Sequence, residues 1–202
     1  MTSKDQDSLD RRMMQRCVDL ARTARPVREF PFACVIARGD DIVAQAINMV
    51  ARSKDVTRHA EMVAVSMAQR IAGRRRLRGC TLYTTVEPCP MCSMAIRETR
   101  VSRVVFALGS PLLGGFSRWN VLGDPEMSRT MWEYYGRSPP EIVTGLMARE
   151  AAEVWRDSYP LVWAIIKRRG CFVVPDGAAC AHRKQKAPQG LFSRLIERVL
   201  PL

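Results

Sequence analysis

The sequence predicts an α/β protein, a three-layer α/β/α sandwich with a central mixed five-stranded sheet. Three observations carry that expectation. Apolar runs of strand length alternate with longer segments of helical period. The first two runs are joined by a turn, whereas the later ones are separated by helices, so antiparallel and parallel pairing are mixed. The chain of 202 residues, 47% hydrophobic and 26% charged, has the size and composition of one ordinary domain with some decoration.

From about Leu9 to Ala24, the residues Leu9, Met13, Val18, Leu20 and Ala21 recur among charges at roughly helical spacing and predict an amphipathic first helix. Pro31–Ala37 and Ile42–Ile47 are apolar runs joined by Arg38-Gly39-Asp40-Asp41, a β-hairpin. A second helix is expected from Thr57 or Arg58 through Gln69, and Gly73 and Gly79 bracket Arg74-Arg75-Arg76-Leu77-Arg78, a solvated connection. Cys80–Thr85 reads as a strand, Pro88-Cys89-Pro90 opens a helix to about Arg100, and Arg103–Leu108 is a further strand. An irregular stretch rich in Gly, Pro and Trp fills Gly109 to Pro140; Glu141–Gly145 is the last strand, and Arg149 to Arg169 one long helix. We divide the chain into a domain over 1–175 and a basic linker with a short C-terminal amphipathic helix over 176–202, whose apolar face carries Leu191, Leu195, Ile196, Val199 and Leu200.

Composition excludes several classes. No apolar run reaches the roughly 18–20 residues of a spanning helix, so no membrane partner is expected. The polar start, Met1 to Asp7, lacks the apolar region of a secretory signal. Seven cysteines, an odd number in a chain too long to need staples, suggest reduced thiols and a cytoplasmic protein. Lys+Arg 32 against Asp+Glu 20 gives a net charge of +12, which favours an anionic partner without naming one.

Two clusters carry chemistry: His59-Ala60-Glu61 at a helix start, and Pro88-Cys89-Pro90-Met91-Cys92 at a strand-to-helix junction. One imidazole and two thiolates suit zinc, and three protein ligands leave the fourth tetrahedral position open, as in catalytic sites. Cys89 and Cys92 share a first helical turn, where the helix N-terminus favours thiolates. Glu61, two residues from a ligand, is placed to shuttle protons beside the metal. A redox dithiol is the competing reading of Cys-x-x-Cys. A structural zinc would need a fourth donor, for which Cys80 and His182 are the candidates, though neither lies at the usual spacing.

His-x-Glu followed by Pro-Cys-x-x-Cys is the pattern of zinc deaminases acting on nucleobases. The stretch from about Val18 to Arg169 resembles the cytidine deaminase superfamily, specifically its tRNA-adenosine-deaminase and guanine-deaminase branch. The likeness rests on Glu29–Val35, Asn48, Asp55–Glu61, Leu82–Cys92, Arg103–Phe106 and Ile142–Leu146. It implies zinc held by His59, Cys89 and Cys92, with Glu61 as proton shuttle. It also implies base contacts from Asn48, from the backbone near Phe32 and Ala33 and from the backbone around Glu87, and a homodimer.

The sequence departs from that branch in three places. Ala33 stands where the branch has Gly. The loop Gly109-Ser110-Pro111-Leu112-Leu113-Gly114-Gly115 lacks the acidic residue and the Lys of the tRNA enzymes, and Gly123 to Pro140, with Trp132, Tyr134 and Tyr135, is an insertion. The late aromatics could form a wall on which a purine stacks; Trp119 is taken as such a substrate contact, Trp155 and Trp163 as core. These readings combine into a hydrolytic, zinc-dependent deaminase of a nucleobase or nucleoside, purine preferred and guanine-like first. A tRNA-specific adenosine deaminase stands second and a cytosine-type deaminase third. The non-enzyme alternative is a zinc-stabilised nucleic-acid-binding module.

Overall fold

The computed structural model describes residues 3–136 and 138–174; the expected linker and terminal helix over 176–202, with His182, lie outside them. The strands are β1 (Ala33–Arg38), β2 (Asp41–Ile47), β3 (Thr81–Val86), β4 (Arg103–Leu108) and β5 (Glu141–Thr144), all at the expected places. They form one sheet in the order β2-β1-β3-β4-β5. β1 pairs antiparallel with β2 and with β3, while β3, β4 and β5 run parallel, so the sheet is mixed. Gly39, the first residue of the two-residue hairpin turn, has φ +57°, the left-handed conformation such a turn requires there.

The helices are α1 (Ser3–Arg22), α2 (Val50–Ser53), α3 (Ala60–Ala72), α4 (Pro90–Thr99), α5 (Pro125–Thr130), α6 (Trp132–Tyr135), α7 (Ala148–Ser158) and α8 (Pro160–Arg168). Side chains alternate across the sheet with period two. Ala33, Val35, Ala37, Tyr83, Val105 and Ala107 join α1, α7 and Trp163 of α8 in one buried cluster. Cys34, Ile36, Leu82, Val104 and Phe106 join α3 and α4 in the other. These are the three layers the sequence predicts. Among the described residues no helix is long and apolar enough to cross a membrane.

Two expectations need correction. The long final helix is two helices, because Pro160 lacks an N–H and its ring disfavours a continuing helix; Tyr159, between them, leaves helical geometry at φ −142°. The stretch from Gly109 to Pro140 is not wholly irregular either: Asp124 caps α5 by accepting from the Glu126 N–H, with Pro125 at the first helical position.

α1 is fastened to the sheet by a buried ion pair. Both oxygens of Asp10 accept from Arg103, each at 2.7 Å, and Oδ1 also accepts from the Tyr83 hydroxyl at 2.9 Å. Removing one partner strands a buried charge, which costs about 3–5 kcal/mol. The variant Asp10→Ala is therefore expected to lower unfolding stability by about that amount, measured by urea denaturation followed by tryptophan fluorescence.

Candidate metal centre and substrate cavity

The site forms where two helices begin at one end of the sheet. β1 and β3 are antiparallel, so the chain leaving β2 and the chain leaving β3 emerge on the same side. The first passes through α2 to α3, whose N-cap is His59; the second passes through Glu87 and Pro88 to α4, whose N-cap is Cys89. Pro90 occupies the first turn of α4, where its missing N–H costs little. Both positive helix ends thus face the same small volume.

His59 Nδ1 lies 3.5 Å from Cys89 Sγ and 3.5 Å from Cys92 Sγ, and the two sulfurs are 3.6 Å apart. Zinc–sulfur bonds of about 2.3 Å and zinc–nitrogen bonds of about 2.0–2.1 Å at tetrahedral angles require edges of about 3.6 Å and about 3.8 Å. The trio therefore fits a tetrahedral zinc with one position left for a non-protein ligand. Among the described residues it is the group of His, Cys, Asp and Glu close enough to hold a metal ion. Cys80 is not in it; its sulfur accepts instead from Arg38 at 3.6 Å.

The hydrogen bond from Cys92 pulls the Cys89 thiol down to about 4, with His59 adding to the effect. The same contact, with burial, pushes Cys92 up, and His59 is raised by its bond to Cys89. A zinc ion would be held by both sulfurs as thiolates, so its binding would release the proton they share. Glu61 sits beside this trio, its Oε2 3.7 Å from Cys92 Sγ and its Oε1 accepting from Thr84 Oγ1 at 3.1 Å. Burial pushes its carboxyl up from the ordinary range.

An inner cavity of about 150 Å³ opens on His59, Glu61 and Cys89, and is walled by Phe32, Asn48 and Phe172. Phe32 and Phe172 are braced from behind by Trp155, at ring-centroid distances of 5.1 and 5.4 Å. Trp155 and Trp163 are buried, as expected for core. The Asn48 amide nitrogen donates to Glu29 Oε2 at 2.9 Å; since a carboxylate only accepts, the orientation of the amide is settled. Glu29, fully buried, also accepts from the N–H groups of Ala51 and Arg52.

Glu87 lines the same cavity and is spent on the loop after β4. Its carboxylate accepts from the N–H groups of Ser110, Phe116 and Ser117 and from the Ser117 hydroxyl, at 2.6–3.0 Å. The backbone N–H of Glu87 donates to Leu108 O at 2.8 Å. Gly114 must be glycine for this arrangement, because a Cβ there would stand 2.0 Å from Glu87 Oε1. Its neighbour Gly115 is pressed as closely on Ser93.

Two expected contacts lie elsewhere. Ala33 is fully buried among the α1-side residues, with its N–H given to Thr85 Oγ1, so the extra methyl falls in the core. Trp119 is exposed, with the Arg118 guanidinium over its ring, and does not line the inner cavity. Trp132, Tyr134 and Tyr135 do not reach it either. Glu29 and Thr84 carry no signal of their own in the sequence; only their contacts 19 and 23 residues away reveal what they hold.

Replacement of Cys92 by Ala opens one edge of the donor triangle and detaches α4 from α3 at their shared end. Zinc content is expected to fall from about one per chain to near zero, with a lowered thermal midpoint that added zinc no longer raises. Metal analysis after dialysis and a thermal melt with and without zinc check this.

The family model for the cytidine and deoxycytidylate deaminase zinc-binding region matches residues 7–108, which contain all three donors and Glu61. The tRNA-specific adenosine deaminase of Aquifex aeolicus is 39% identical over 117 residues, 57% of this chain and 78% of that protein. That of Haemophilus influenzae is 30% identical over 155 residues, 75% of this chain and 83% of that protein. A solved structure from work on A-to-I editing by tRNA:A34 deaminases superposes with a TM-score of 0.62 at 30% identity, covering 71% of this chain and 98% of that one. The guanine deaminase of Nitrosomonas europaea superposes with a TM-score of 0.58 at 25% identity, covering 73% and 83%. The chain belongs to the cytidine and deoxycytidylate deaminase zinc-binding family and is a zinc-dependent deaminase, a hydrolase of carbon–nitrogen bonds.

Proposed function

We propose that the substrate is a purine carried in an RNA strand, adenosine in tRNA first, converted to inosine with release of ammonia. The observation that carries this reading is the second cavity outside the first. It measures about 640 Å³, shares Phe32, Asn48 and His59 with the inner one, and bears Arg25 and Arg28 with Phe30 and Tyr159. An inner chamber sized for one ring, opening onto two arginines and two aromatic rings, suits a base with a phosphate-linked strand outside. The similarity to tRNA-specific adenosine deaminases over most of their length supports the same order. The sequence alone favours guanine, because the loop after β4 lacks the charged pair of the tRNA enzymes. That loop is instead organised by Glu87 from within, and the positive groups, Arg25 and Arg28, line the outer cavity.

His59, Cys89 and Cys92 would hold the zinc, which supplies a strong local positive charge and brings a coordinated water towards hydroxide near neutral pH. The rest is done by side chains of this chain. Asn48, locked by Glu29, turns its amide oxygen to accept a ring N–H or amine, and Phe32 and Phe172 exclude water from the ring. Water oxygen adds to the amine-bearing carbon while Glu61 takes one of its protons and passes it to the adjacent ring nitrogen. The second proton travels by Glu61 to the amine, the carbon–nitrogen bond breaks, ammonia leaves and a carbonyl remains. Thr84 holds the carboxylate at the position both transfers need.

Free guanine stays as the second reading, favoured by Phe172 and Leu113, which narrow the inner chamber. Ammonia release is to be measured side by side from an anticodon stem-loop, adenosine, guanine, guanosine and cytosine. We expect the stem-loop to be deaminated, with activity falling steeply as salt is raised. Activity on guanine alone would replace the first reading by the second. Glu61→Gln is expected to keep its zinc and lose at least about 10³-fold in rate, the contribution typical of a positioned proton carrier. No ammonia from any of the five with the wild type would favour a zinc-stabilised binding module.

A further inference from the structure

α4 ends far from its metal-ligating turn, beside the loop that precedes β3 and the short helix α6. These elements enclose a cavity of about 440 Å³ whose wall carries Arg78, Arg97, Arg100, Trp132 and Tyr135. Among the described residues no Asp or Glu lines it. Arg78 and Ser102 precede β3 and β4, whereas Glu87 of the inner cavity follows β3. The two cavities are thus separated by the length of a six-residue strand, about 20 Å.

Arg97 sets this cavity apart from an ordinary basic surface. It is 1% exposed, with Nη1 donating to Leu122 O at 3.1 Å and Nη2 to Ser128 Oγ at 2.8 Å. Its Nε is buried with no hydrogen-bond partner. Among the described residues it makes no ion pair, and Asp124 acts on it only through space. Arg103, also buried, has both oxygens of Asp10 and one of Glu141. A buried cation lacking such a partner is costly unless an anion comes to it. Arg78 adds a guanidinium that makes no hydrogen bond or ion pair to the described residues. Arg100 donates to the carbonyl oxygens of Trp132, Glu133 and Tyr134 and so holds α6 and its Trp in place on the wall.

We propose that this cavity is a second, non-catalytic site that takes a nucleotide unit, its phosphate among the arginines and its base against Trp132. Guanidinium forks match phosphate oxygens, and an indole face accepts any flat base. The volume lies within the range of small-ligand sites. The unit could be a free mononucleotide or one residue of an RNA strand; the chemistry recognised is the same.

The full-length, zinc-loaded protein is titrated calorimetrically with uridine 5′-monophosphate, with uridine and with a short oligouridylate, since uracil has no exocyclic amine to lose. Arg78→Glu and Trp132→Ala, both at exposed positions, serve as variants, and their unfolding midpoints and zinc content should match the wild type. We expect the monophosphate to bind at least about tenfold more tightly than uridine and each variant to lose at least about tenfold. Saturable binding of the monophosphate lost in the variants assigns the site to free nucleotides; loss confined to the oligouridylate assigns it to an RNA strand. Equal affinities in wild type and both variants, or no saturable binding of either probe, overturn the proposal.

Discussion

The whole functional end of this molecule rests on three donor atoms brought to within 3.6 Å of one another from two helices. That convergence is topological before it is chemical. Because β1 runs against β3, α3 and α4 both start at the same end of the sheet, and their N-termini meet there. Each N-cap residue, His59 and Cys89, is itself a donor, so the turn that starts the helix also aims the ligand. Zinc would join the two helices where they meet, which makes metal binding and packing of this layer one event.

Around that centre the protein uses carboxylates as clamps. Glu29 binds Asn48 and the start of α2; Glu87 gathers the loop after β4; Asp10 joins α1 to β4. Each is buried, and each has its oxygens occupied by N–H or O–H donors or by a guanidinium, which is what lets a charge stay inside. Glu61 differs: it has Thr84 and a thiol contact, and otherwise faces the cavity. Its two contacts are a hydroxyl and a thiol, with neither the guanidinium nor the several backbone N–H groups that the clamps have, which is the setting that the proton-carrying role proposed for it requires.

The sheet, its strand boundaries and the donor trio were legible because each is written in a short window: an apolar run, a Gly turn, a Pro-Cys-x-x-Cys step. The clamps were not, since nothing near Glu29 in the chain distinguishes it from a surface acid until Asn48 and Arg52 arrive from across the fold. The position of Trp119 is set in the same way. An aromatic residue in a Gly-rich loop can face the ring pocket or the solvent, and the choice was made by Glu87 holding Ser117 two residues before it. The break at Tyr159 is the opposite case: Pro160 was in plain view, yet the apolar residues on both sides kept helical spacing and hid it. The Asp124-Pro125-Glu126 cap was likewise readable.

α4 ties the two ends of the molecule together. Its N-cap and first turn carry Cys89 and Cys92, which would hold zinc as thiolates, and its last turn and C-cap carry Arg97 and Arg100. Both placements follow the helix dipole, which favours anions at the N-terminus and cations at the C-terminus. The dipole does not require Arg97 to be buried, however. Burial comes from the segment between β4 and β5, which folds over α4 and offers Leu122 O and Ser128 Oγ to the guanidinium. These acceptors are neutral, so the charge persists. A connection that stayed on the surface would leave this arginine in water, where it would cost nothing. By covering it with carbonyl and hydroxyl oxygens and, among the described residues, no carboxylate, the segment turns a surface cation into a local positive field that opens onto one cavity.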